Sequence, residues 1–305
     1  MLHPQAEAAV ALWSQGPQVT DPGFGQADIE KMRAVAVRAA ADEPKEPVAR
    51  VEDVDADGVA CRLYVQVAGS RQARPAARGC IVFLHGGGFV FGDLDTHEAQ
   101  ARRLANRTGL GVLAVDYRRP PEHRFPAAPH DVDTACAWLR DHADGLGVDP
   151  QRLVALGDSA GGNLALVAAL RNPRLFSAAV LVQPFLDPRM RFPSYRGTSG
   201  GLTTDEAAWY WQQYARTADD LTHPDLAPLD ADGLGSLPPT LVIAGEHDVL
   251  VDEDVELVRR IERAGGPVDL STYPGMVHGF WRHPQLFDDA ERSLAEIAEF
   301  LRRTV

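Results

Sequence analysis

The chain has 305 residues, 45% of them hydrophobic and 24% charged, and a formal net charge of −13. That charge argues against nucleic acid and against an anionic membrane surface as partners, and no apolar run approaches the ~20 residues needed to span a bilayer. Cys61, Cys80 and Cys136 form no CxxC pair and are odd in number, so they are expected to be small core residues in a reducing compartment, with no disulfide and no metal site.

The N-terminal stretch MLHPQAEAAVALWSQG has neither a basic start nor an uninterrupted apolar core. No signal peptide is expected, and the expected location is cytoplasmic. Residues 4–15 and 26–41 are predicted to be amphipathic helices joined by a turn-rich segment, with 42–47 (DEPKEP) as a linker. VARVEDVDA (48–56) and ACRLYVQVA (60–68) alternate like paired strands. CIVFLH (80–85) reads as a buried strand, 96–109 as a helix closed by glycine, and GVLAVDYR (111–118) as a second buried strand. A helix over 127–143, a strand over 152–157, a helix over 163–172 and a strand over 177–184 continue the rhythm. Such alternation predicts an α/β fold with a mostly parallel sheet covered on both faces.

Residues 186–235 interrupt it with turns, the segment TTDEAAWYWQQYAR and a stretch rich in proline and aspartate. Strand character returns at 239–248 and 267–275, and an amphipathic helix ends the chain. The catalytic domain is accordingly assigned to 46–185 and 236–305. Residues 1–45 and 186–235 are expected to form a two-part helical cap over the carboxyl edge of the sheet, where open α/β sheets place their ligands.

The segment GDSAGGNLALV (157–167) carries the chemistry. A strand that turns sharply into a helix strains its corner residue, and glycines two positions to either side relieve the collision that side chains would cause there. Gly157-x-Ser159-x-Gly161 fits this nucleophile elbow of an α/β-hydrolase. A serine hydroxyl needs a base, and the base needs an acid that fixes its tautomer. In this fold they follow in the order Ser, Asp or Glu, His. His278, in the loop PGMVHGF after the last predicted strand, takes the place of the base ahead of His223, His247 and His283. Asp248 comes first after its strand and is preferred as the acid. Asp252, Glu253 and Asp254 are expected to open the next helix, where negative charge favours the amino end. HGGGF (85–89) follows a buried strand and exposes backbone amides. Gly86, Gly87 and Gly88, with the amide of Ala160, form the candidate oxyanion hole, and His85 is expected to hold that loop.

HGGGF, DYRRPPEHRFPAAPHD, GDSAGGNLA, GEHDVLVDE and MVHGF, in this order and spacing, resemble the hormone-sensitive-lipase family of serine esterases over about residues 50–305. The resemblance implies an α/β-hydrolase fold with a two-part cap, no cofactor, and hydrolysis of short- to medium-chain carboxylic esters. It implies Ser159, Asp248 and His278 as the triad and Gly87, Gly88 and Ala160 as oxyanion donors, with Gly86 shaping the loop. DYRRPPEH departs from the family's DYRLAPEH at Arg119 and Pro120. Asp116, Arg118 and Glu122 are expected to make structural ion pairs.

In the cap, Thr203 and Glu206 fit a capping box. Tyr210, Trp211 and Tyr214 can share a helix face, as cap core or as pocket wall. Phe89 and Trp281 flank the catalytic loops, and all five aromatics are candidate substrate-binding residues. The expected partner is a small-molecule ester, and the sequence leaves a homodimer open. An amidase or deacetylase with the same triad, or a non-catalytic binding module of this fold, are the competing readings. His278 argues against the second.

Overall fold

The alternating pattern folds into one eight-stranded sheet in the computed structural model, which describes residues 1–66, 78–197 and 200–305. Two helices come first, α1 (Pro4–Trp13) and α2 (Gln26–Ala41). β1 (Arg50–Ala56) and β2 (Val59–Val65) form an antiparallel hairpin. Its loop is Asp57-Gly58, both residues at positive φ (53° and 92°), the backbone that a two-residue hairpin turn of matching twist requires. The end of the predicted second strand, residues 67–68, lies outside the described residues.

β3 (Arg78–Leu84), α3 (Glu98–Thr108), β4 (Gly111–Val115), α4 (Ala127–Leu146), β5 (Val148–Asp158), α5 (Ala160–Arg171) and β6 (Phe176–Val182) follow. The predicted interruption at 186–235 holds α6 (Thr204–Tyr214) and short 3-10 turns, and α6 opens with the Thr203–Glu206 capping box that the spacing predicts. β7 (Thr240–Gly245), α7 (Val251–Arg263), β8 (Val268–Tyr273) and α8 (Asp288–Thr304) complete the chain.

The strand order is β1-β2-β4-β3-β5-β6-β7-β8, with β3 to β8 parallel and β2 antiparallel to β4. The central strands carry continuous apolar runs, such as Cys80–Leu84 and Leu153–Leu156, because both their faces are covered. Cys80, Val82 and Leu84 of β3 face a core shared with α4, α5 and α7. Ile81 and Phe83 face a second core with α3 and α8. The chain leaves β3 outward to β4 and returns to β5 on the other side of β3. The loops after β3 and β5 thus meet at a reversal of strand order, the crevice in which open α/β sheets hold ligands.

Candidate active site

β5 ends at Asp158 and α5 begins at Ala160, so Ser159 alone makes the corner, with φ 53° and ψ −119°. A Cβ on Gly157 would overlap the backbone of Gly161, and one on Gly161 would overlap the Leu84 carbonyl. The two glycines thus let β5, α5 and the end of β3 approach one another, and Ser159 stands above them at the carboxyl edge.

Ser159 Oγ lies 3.0 Å from His278 Nε2, and His278 Nδ1 lies 2.7 Å from Asp248 Oδ2. A carboxylate oxygen only accepts, so Nδ1 carries the proton and the Nε2 lone pair faces the serine hydroxyl. Asp248 is 2% exposed, and its other oxygen accepts from the Leu250 amide at 3.0 Å. Gln183, which the sequence reading passed over, donates from Nε2 to Asp248 Oδ2 at 2.6 Å. The available signal was a polar residue closing the apolar run SAAVLV directly before a proline.

Asp252, Glu253 and Asp254 do sit in the first turn of α7, but their side chains do not cap it, because the buried face of α7 turns two of them inward. Asp252 accepts from the Ser194 amide at 2.8 Å. Glu253 is fully buried and accepts from the amides of Leu186 (2.7 Å) and Asp187 (3.2 Å) and from the Tyr195 hydroxyl (3.1 Å). Asp254 is equally buried, and neither of its oxygens has a partner among the described residues. Burial drives both carboxyls well above the ordinary range. Asp252 and Glu253 thus hold the segment after β6 against α7.

The Gly86 amide donates to Asp158 Oδ1 at 3.0 Å, which removes Gly86 from the candidate oxyanion donors and leaves it shaping the loop. The amides of Gly87, Gly88 and Ala160 have no partner among the described residues. Gly87 and Gly88 take positive φ (118° and 58°), and a Cβ on Gly88 would overlap the Tyr210 ring. Arg282 Nε lies 3.5 Å from the second oxygen of Asp158. Burial raises the Asp158 carboxyl, while Arg282 and the Gly86 amide oppose that rise. His85 donates from Nδ1 to the Gly86 carbonyl at 2.9 Å and stacks on Tyr117 at 4.3 Å. Burial lowers its pKa to about 3, so it is a neutral support for the loop.

A cavity of about 930 Å³ reaches this loop at Gly87 and is lined among others by Ala36 and Ala40 of α2, Phe91, Tyr210 and Arg282. Its wall includes neither Ser159 nor His278. Of the five candidate aromatics only Tyr210 lines it. Phe89 and Tyr214 are fully buried and stack in parallel at 3.7 Å. Trp211 stacks on Phe185 at 4.1 Å and borders a smaller cavity. Trp281 is buried against Phe83 beneath the sheet's other face. Packing among large rings outcompetes exposure to the larger cavity at these four positions.

The motif DYRRPPEH forms ion pairs as expected, each with its own partner: Asp116 with Arg119, Arg118 with Asp131 (2.7 Å) and Glu122 with Arg33 (2.8 Å). Arg33 also donates to the carbonyls of Val90 and Pro120, so α2 is fastened to the region beside the glycine loop. Cys61, Cys80 and Cys136 are free and buried. Among the described residues no group of His, Cys, Asp and Glu is arranged to hold a metal, and no helix is long and apolar enough to cross a membrane.

Comparison with known proteins agrees with this geometry. Residues 81–282 match the model of an alpha/beta hydrolase fold family. The ethyl acetate hydrolase of Pseudomonas putida is 37% identical over 243 residues, covering 76% of each chain. The carboxylic ester hydrolase LipN of Mycobacterium tuberculosis is 36% identical over 248 residues, covering 76% of this chain and 66% of its own. The hyperthermophilic esterase of the archaeon Pyrobaculum calidifontis superposes with a TM-score of 0.88 at 32% identity, covering 99% of this chain and 98% of its own. A solved esterase of the bacterial hormone-sensitive lipase family superposes at 0.84 with 27% identity, covering 100% and 99%. Elbow, strand order and relatives agree: the chain belongs to the α/β-hydrolase fold family, among its hormone-sensitive-lipase-like carboxylic-ester hydrolases.

Proposed function

We propose that this carboxylic-ester hydrolase works through an acyl-enzyme on Ser159. The observation that carries the reading is the unbroken hydrogen-bond chain from Ser159 Oγ through His278 to Asp248. His278 Nε2 takes the hydroxyl proton as Oγ attacks the ester carbonyl, then returns it to the leaving alkoxide. Water repeats the sequence on the acyl-enzyme and regenerates the serine. Asp248 keeps the proton of His278 on Nδ1 and stabilises the imidazolium. The free amides of Gly87, Gly88 and Ala160 receive the oxyanion, each such donor being worth about 3–4 kcal/mol. Residues 1–45 and 186–235 act as the cap, with Tyr210 and α2 on the wall of the cavity that reaches Gly87.

The substrates are esters of small acids. Relatives named for ethyl acetate and for acetyl esters support short acyl groups. Each methylene that enters an apolar pocket adds ~0.8 kcal/mol, so rates should rise with chain length only until the pocket is full, at roughly two to eight carbons. A series of p-nitrophenyl esters tests this, with Ser159→Ala as the inactive control. A maximum of kcat/KM within that range is expected. A maximum at long chains, or a rate jump when substrate passes into an emulsion, would contradict it.

A further inference from the structure

Three non-glycine residues at the carboxyl ends of adjacent strands hold positive φ: Phe89 after β3 (64°), Ser159 after β5 (53°) and Gln183 after β6 (46°). A left-handed backbone costs such residues energy and persists where the surroundings over-determine it, commonly at sites of function. Ser159 is the nucleophile and Phe89 closes the glycine loop. Gln183 has no role in the mechanism described above. It is 1% exposed, and its amide donates to the Ile243 carbonyl at 2.7 Å, which fixes the turn of its backbone.

Among the described residues the side chain of Gln183 makes three hydrogen bonds, all within the proposed machinery. Nε2 donates to Asp248 Oδ2 at 2.6 Å, the oxygen that also accepts from His278 Nδ1. It donates as well to the Val277 carbonyl at 3.1 Å, and Oε1 accepts from the Gly279 amide at 2.9 Å. Val277 and Gly279 flank His278 on both sides. One amide therefore grips the acid and both neighbours of the base. Gly245, where β7 ends, allows the approach, since a Cβ there would lie 3.0 Å from Nε2.

We infer that Gln183 is a positioning residue for the base: it fixes the His278 loop in register with Asp248 and draws charge from the oxygen that holds the imidazole. The inference rests on the triad reading. Only an amide can give one hydrogen bond to a carboxylate, give another to a carbonyl and accept a third from a backbone N–H. Loss of the donor should leave more charge on Asp248 Oδ2 and strengthen its hold on protonated His278. The acid limb of kcat/KM then moves to higher pH, by roughly half a unit. Glu253, Asp254 and Asp158, the other carboxyls buried around the pair, are unchanged in the comparison, so the displacement reports on Gln183.

The experiment compares the parent with Gln183→Met, Gln183→Glu and Ser159→Ala on p-nitrophenyl acetate across pH, with folding followed by circular dichroism and thermal melting. Gln183→Met matches the volume and removes all three bonds. It should lose about 10–100-fold in kcat, with KM within threefold and the acid limb displaced upward, in line with the loss seen for misplaced catalytic groups. Gln183→Glu keeps an acceptor for Gly279 but sets a second carboxyl against Asp248. Its deficit should be deepest at high pH and shrink as the pH falls, because a protonated carboxyl donates again. A merely structural role predicts no such recovery. Folded variants with kcat within twofold and an unmoved acid limb would overturn the inference, and so would a loss confined to KM. Unfolding of both variants would assign Gln183 to the fold and also overturn it. Unreduced turnover by Ser159→Ala would instead sink the triad reading itself.

Discussion

The carboxyl edge of the sheet and the segments proposed as its cap are built by different means. At the edge, each group of the proposed site is placed by backbone: the corner at Ser159, the glycine run after β3, and Asp248 and His278 in the loops after β7 and β8. The proposed cap is placed by side chains. Tyr214 is stacked on Phe89, Trp211 on Phe185, and α2 is tied down through Arg33. Backbone geometry of the first kind demands particular residues at fixed spacings and leaves a readable mark. Ring packing of the second kind accepts many arrangements and leaves almost none.

The largest effect that would break or sharpen this contrast is expected at the acid. Asp248→Asn should lower kcat on p-nitrophenyl acetate by about 10⁴-fold through the wrong histidine tautomer. Asp252→Asn, which alters only the acceptor for the Ser194 amide, should leave kcat within a few-fold. The reverse order in steady-state assays would mean that the edge is organised around a different carboxylate.

In the cap, Tyr214→Ala should cost about 3–5 kcal/mol of stability in denaturant titration, as loss of a fully buried aromatic does. Tyr214→Phe should cost little, since the buried Tyr214 hydroxyl has no partner among the described residues. Tyr210→Ala should act on substrate choice, moving KM and the chain-length optimum with a smaller loss of stability, because Tyr210 is the one of the pair on the cavity wall. Equal stability costs with an unmoved optimum would erase the distinction between wall and core.

The smallest effect concerns Asp254, whose carboxyl is buried and has no partner among the described residues. Its pKa is raised in the folded state, so the folded chain holds a proton that the unfolded chain, at about 3.9, has already lost. Its contribution to stability is complete below the unfolded pKa and is lost as pH rises through the folded pKa. Asp254→Asn escapes that loss. Its stability in denaturant titration should exceed the parent's by a margin that widens as pH rises above the unfolded value and levels off once the folded carboxyl has ionised. A margin that narrows with pH would show a charged Asp254 stabilised by its surroundings.

These two modes of construction also explain what could be read without a structure. Ser159, His278 and Asp248, which their motifs single out, lie within hydrogen-bond distance of one another, and they were legible because the elbow and the glycine loop are local constraints. The alternating apolar runs likewise foretold the parallel strands and their covering helices. Glu253 and Asp254 open α7 as expected, but their burial was not legible, since it depends on which face α7 turns to the core. Gln183 was missed because its value lies wholly in partners 65, 94 and 96 positions away in the chain. Helical spacing leaves Trp211 and Tyr214 open between wall and core, and a place beside the catalytic loops points Phe89 and Trp281 to the wall, but neither signal shows what a ring meets, and all four pack inside.

The central claim, a single activated serine at the elbow, is tested most directly by covalent trapping. Parent and Ser159→Ala are treated with an organophosphonate and analysed by intact mass and peptide mapping. The account predicts one adduct on the parent, on Ser159, with activity lost in proportion to labelling, and none on the variant. An adduct on another residue, or full inactivation with Ser159 unlabelled, would contradict it.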